Sequence, residues 1–129
     1  MDRSVVLGAF EAAIGAADAE RSTRALCTYD GTSLVIGGTA VAVAAADIVV
    51  IGIGKAAPGM VSAVCAVTGA QRGVVVSDHD EPCPLPVIVG GHPVPDARSF
   101  LAGAAVKREV AAILPSDVLV ACVSGGGSA

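Results

Sequence analysis

Asp47–Met60 reads DIVVIGIGKAAPGM, and its interpretation decides the architecture of the chain. Ile48–Ile53 is a continuous apolar run of the kind that suits a strand buried on both faces, as in a parallel sheet. From Ala56 to Thr68 the pattern becomes helical, with Met60, Val64 and Val67 on one face and Gly69 placed to close the helix. Between the two lies Gly52-Ile53-Gly54-Lys55-Ala56-Ala57, which fits the dinucleotide fingerprint G-x-G-x-x-A after a strand and before a helix.

The neighbouring segments extend this unit in both directions. Upstream, residues 4–19 place Val6, Phe10, Ala13, Ile14 and Ala17 at helical spacing, and a second short helix is expected over Arg21–Cys27. Asp30-Gly31 signals a turn, and SLVIGGTAVAV reads as a hairpin about Gly37-Gly38. Downstream, RGVVVS (72–77) is a strand, EPCPLP a loop and PVIVGG another short strand. A helix capped by Asp96 runs to about Leu114, and DVLVACVS is the last strand, expected at the centre of the sheet. Alternating strands and helices predict an α/β fold: a Rossmann-like, mainly parallel sheet layered with helices, with a small β-hairpin near the N-terminus.

Composition narrows the function. The 129 residues fit one domain and are 53% hydrophobic but only 2% aromatic, so the core must be Val, Ile, Leu and Ala. A net charge of −4 without a basic cluster argues against nucleic-acid binding. The four cysteines form no CxxC pair and read as buried, reduced thiols of a reducing compartment. The uncharged stretches fall short of the ~18 residues of a spanning helix. A cytoplasmic location without membrane or nucleic-acid partners is expected.

Three loops after strands carry the unusual chemistry, where open α/β sheets bind ligands. In the first, Lys55 opposes the dipole of the helix it begins, an arrangement that suits a bound anion. A phosphate-binding P-loop does not fit, because Val49 stands where its first glycine belongs and Ala56 replaces the Ser or Thr. The second, GGHPVPDARS (90–99), holds His92 before Pro93 and Asp96 as a helix cap. The third, SGGGSA (124–129), offers the amides of Gly125, Gly126 and Gly127 and the hydroxyls of Ser124 and Ser128 to an anion. The acidic turn SDHDE (77–81) reads as a solvated loop, and no metal cluster is evident.

GIGKAAPGM, GGHPVPD and VSGGGSA, in this order and spacing, resemble the type-2 glycerate kinases, often labelled hydroxypyruvate reductases. The resemblance covers nearly the whole chain, with Ser77–Pro86 matching least well. It implies ATP-dependent phosphorylation of glycerate at its 2-hydroxyl, with ATP and Mg2+. Lys55 then matches the active-site lysine. Gly54, Ser124, Gly125, Gly126, Gly127, Ser128, His92 and Asp96 match positions that bind substrate or phosphate. It also implies that residues 1–129 are the N-terminal part of the first domain of a longer enzyme with a second, MOFRL domain. An isolated chain is then expected to be inactive and to self-associate.

Two other readings compete. GIGKAA, with Asp78 lying 24 residues after Gly54 beyond the next strand, is compatible with an NAD(P)-dependent oxidoreductase acting on hydroxypyruvate or other 2-hydroxy acids. A non-catalytic truncated module is the third.

Overall fold

The computed structural model describes residues 2–125. It contains four helices, α1 (Arg3–Ala16), α2 (Ala19–Leu26), α3 (Ala57–Thr68) and α4 (Ala97–Ala111). The strands are β1 (Cys27–Tyr29), β2 (Ser33–Ile36), β3 (Thr39–Ala42), β4 (Ile48–Ile53), β5 (Arg72–Ser77), β6 (Val87–Val89) and β7 (Val118–Val123). The last four make a parallel sheet in the order β6-β5-β4-β7. The first three make a separate antiparallel sheet.

The expected α/β architecture is present, with two local corrections. The N-terminal hairpin is three-stranded, because Cys27, expected at the end of α2, begins a strand paired with β2. The last helix stops at Ala111, and Leu114 lies in the turn that follows. Among the described residues β7 pairs with β4.

β4 is buried along almost its whole length, as its unbroken apolar run demands. One face joins the main core. There Val50, Val75, Val120 and Cys122 meet Val61, Val64 and Cys65 of α3, with Cys27, Leu34 and Val43 closing the far side. Gly52 sets the approach of α3, since a Cβ there would lie 2.7 Å from Val61 Cγ2 and 3.3 Å from Ala57 Cβ. On the opposite face α4 packs over β5 and β6 through Ala102 and Ala105. Gly69 ends α3 in the left-handed conformation, with φ of 75°.

At the N-terminal edge of the sheet, Arg72 donates two hydrogen bonds to Asp117, of 2.8 and 2.9 Å. Asp117 also accepts from the Leu114 amide at 2.8 Å, so one carboxylate ties the start of β5 to the turn before β7. Arg72 holds that carboxyl below the ordinary aspartate range. All four cysteines are free. Burial pushes the Cys65 and Cys122 thiols up to about 11, as inert core groups.

Gly73 has φ of 135°, and a Cβ there would strike the Val50 carbonyl in the adjacent strand. Gly73→Ala is therefore expected to destabilise the chain by about 3 kcal/mol or more. Gly8 lies inside α1 with open space around it, and Gly8→Ala is expected to stabilise by about 0.5–1 kcal/mol. Urea denaturation of the two variants beside the wild type checks both signs.

Candidate functional site

Strand register brings the loops together. Ile53 stands opposite both Val76 and Val123, and Ser77 stands opposite Val89. The strands thus end level, and the loops beginning at Gly54, Asp78, Gly90 and Ser124 emerge side by side. Between them and α4 lies a cleft of about 450 Å3, lined by Lys55, Asp78, Gly90, Gly91, His92 and Gly125 among others.

The Gly54–Ala57 loop is locked by the protein itself. Gly54 adopts φ of 115°, and a Cβ on it would strike Ser124. Its amide donates to Val76 O at 2.9 Å, Lys55 N to Gly125 O at 3.4 Å, and Ala57 N to Gly54 O at 3.1 Å. Ala56, the N-cap of α3, has no capping side chain of its own. Ser124 Oγ takes that role and accepts from Ala56 N at 3.0 Å. The amides that the dinucleotide fingerprint would turn toward a pyrophosphate are thus already engaged. What the loop presents to the cleft is the exposed Lys55 side chain, with no ion-pair partner among the described residues.

The second loop is held in a similar way. Gly90 N donates to Ser77 O at 2.8 Å, and Gly91 N donates to Ser99 Oγ at 3.1 Å. Asp96 caps α4 in a capping box with Ser99, and its carboxylate accepts from Arg98 N at 2.8 Å and from Arg98 Nη2 at 2.7 Å. A Cβ on Gly91 would lie 2.7 Å from the Asp96 carboxyl carbon. Asp96 therefore shapes this loop from behind and does not line the cleft, whereas His92, joined to Pro93 by a cis peptide, does. Gly126, Gly127 and Ser128 lie outside the described residues.

The SDHDE turn is more ordered than a solvated loop. His79 Nδ1 lies 2.6 Å from Asp78 Oδ1, and its Nε2 lies 3.1 Å from Glu81 Oε2. Ser77 Oγ is 3.3 Å from the same Nδ1. Carboxylates at both nitrogens favour the protonated ring, so Asp78 first and then Glu81 raise its pKa above 6.5. Asp78 is held below 3.8, chiefly by His79, with the charge of Lys55 adding to the effect. No group of three metal-binding side chains occurs among the described residues.

Two predictions follow from this geometry. Ser124→Ala removes the only side-chain cap of α3 and is expected to cost about 1 kcal/mol, read from the denaturation midpoint. His79 is expected to titrate above 6.5 by NMR and to fall toward that value in Glu81→Gln. Because its folded pKa is raised, the clamp stabilises the fold fully below pH 6.5 and is lost as pH rises through the folded value. The stability gap between wild type and His79→Gln should therefore close on the alkaline side.

No helix among the described residues is long and apolar enough to cross a membrane. Residues 5–129 match the family described as a domain of unknown function, DUF4147. Two proteins of Agrobacterium vitis, each named "Putative hydroxypyruvate reductase", are 36% and 38% identical to this chain over 85 residues. Those stretches are 62% of this chain but only 19% and 22% of the two relatives. The crystal structure of the PH0495 protein from Pyrococcus horikoshii OT3 superposes on the whole chain with a TM-score of 0.86 and 29% identity. The chain spans 30% of that protein. The match over nearly its full length makes this chain a member of the DUF4147 family, the N-terminal domain of the glycerate 2-kinase family.

Proposed function

We propose that this chain is the N-terminal part of an ATP-dependent glycerate 2-kinase and that Lys55 is its phosphoryl-facing cation. One observation carries the reading: a lysine with no ion-pair partner among the described residues stands over a cleft at the strand ends, while the backbone amides beside it are already hydrogen-bonded. Neutralisation of phosphate here falls to a side-chain charge rather than to a backbone nest. That is what phosphoryl transfer asks for, since its catalysis is positioning and charge stabilisation with little covalent work by the protein.

In the reaction the 2-hydroxyl oxygen of glycerate bonds to the γ-phosphorus of ATP. The bond from that phosphorus to the β-bridging oxygen breaks, and ADP leaves. Lys55 opposes the negative charge on the transferring group. The described residues do not make up a magnesium site, because Asp78 is the only carboxylate lining the cleft. His92, Ser77, Ser99, Gly91 and Gly125 also line it, and Asp96 abuts Gly91 from behind. The matched relatives are several times longer than this chain, and the second domain that the family resemblance implies would complete the cleft.

An NAD(P)-dependent reductase is the second reading, favoured by Asp78 at the end of β5 and by the relatives' names. The engaged amides of Gly54–Ala57 weigh against it. In the native polypeptide that carries these residues, Lys55→Met is expected to slow ADP formation with glycerate at least about 100-fold. A coupled ADP assay reads that loss. Hydroxypyruvate reduction with NADH and no ATP turnover by the wild type would overturn the kinase reading. Glycerate phosphorylation by the isolated 129-residue chain would overturn its placement as part of a catalytic unit.

A further inference from the structure

We propose that Asp78 is the hydroxyl-accepting group of the cleft, held in place by His79 so that one carboxylate oxygen faces a ligand hydroxyl. The inference rests on the kinase reading and deepens it by assigning a specificity-determining residue.

Asp78 follows the end of β5 and lines the same cleft as Lys55. Its Oδ1 is taken by His79 at 2.6 Å, while Oδ2 has no hydrogen-bond partner among the described residues. A carboxylate fixed through one oxygen has the other available at a set angle. The ring that fixes it is itself fixed, because Glu81 holds the far nitrogen at 3.1 Å. This is a relay of side chains ending in an ionised acceptor, and an ionised carboxylate can only accept hydrogen bonds. The cleft thus offers a cation and an acceptor on neighbouring strand ends. It is complementary to a ligand that carries an anionic group and a hydroxyl a short distance apart.

Two hydroxyls of the proposed reaction meet that description: the 2-hydroxyl of glycerate and a ribose hydroxyl of ATP. If the first is bound, Asp78 also receives the proton that the hydroxyl loses as its oxygen bonds to phosphorus. If the second is bound, Asp78 orients the nucleotide, and the proton of the glycerate hydroxyl passes to a phosphate oxygen or to water instead.

Binding to the native polypeptide by calorimetry separates these cases. Glycerate is compared with 3-hydroxypropanoate, which lacks the 2-hydroxyl, and ATP with 2′-deoxy-ATP and 3′-deoxy-ATP. In wild type, one set should favour the hydroxyl-bearing ligand by about tenfold or more. Asp78→Asn should reduce that preference, read as the ratio of the two affinities within one variant, to about twofold. A collapsed preference for glycerate assigns the acceptor substrate, and one for ATP assigns the ribose. His79→Gln should reduce the same preference partly, and Asp78→Glu should restore part of what Asp78→Asn loses. The wild-type comparison stands even if a variant fails to fold.

Three results would overturn the proposal. The first is a wild type with no hydroxyl preference in either set, and the second is an Asp78→Asn variant whose preference matches that of wild type. Equal weakening of hydroxy and deoxy ligands, as expected of a carboxylate acting through magnesium, is the third. Wild type that binds neither ATP nor glycerate and forms no ADP overturns the kinase reading and this inference with it.

Discussion

Ile53 pairs with Val76 on one side and Val123 on the other, and this shared register governs the rest of the molecule. A parallel sheet slipped by two residues along either pairing would keep its apolar faces but would no longer end its strands level. Lys55, Asp78 and Gly125 would then not share a cleft. The register is enforced from within. Gly52 admits α3 against β4, and Gly73 admits the Val50 carbonyl, each at a distance no side chain could occupy. The Arg72–Asp117 pair fixes the opposite edge of the same sheet.

The electrostatic character of the cleft follows from how its backbone is satisfied. The glycine loop resembles one that binds phosphate through amides, yet the protein supplies those amides with its own acceptors. Lys55 is left as the cation of that loop, and Asp78 as a carboxylate kept ionised by His79. Unlike backbone dipoles, two opposite side-chain charges on neighbouring strand ends can discriminate among small polar ligands by the spacing of their groups. His92 and the Gly90-Gly91 turn close the third side, and Asp96 stiffens that turn through its cap on α4.

Much of this was legible in the residues because the signals were local. The unbroken run Ile48–Ile53, the left-handed Gly69 and the Asp96 cap each follow from a few neighbouring side chains. What could not be read depends on partners far along the chain. Cys27-Thr28-Tyr29 is too short to show alternation and becomes a strand only by pairing with β2. The SDHDE turn has the composition of a solvated loop. Only the fold reveals that its histidine is gripped from both sides and that its first carboxylate faces the cleft. The glycine-rich setting of Ser124 suggests an anion ligand. The structure adds that its hydroxyl accepts from the protein's own Ala56 amide.

That last bond has a temporal consequence. Ala56 and Ser124 are 68 residues apart, so the lysine loop acquires its cap only once the chain as far as Ser124 is available. During synthesis, β4 and α3 emerge well before the strand that completes them, and closing so long a loop comes late on entropic grounds. Until β7 docks, the Ala56 amide at the head of α3 lacks its partner and the loop is free to sample other shapes. The loop that carries Lys55 therefore becomes ordered only after a strand encoded well downstream of it has docked.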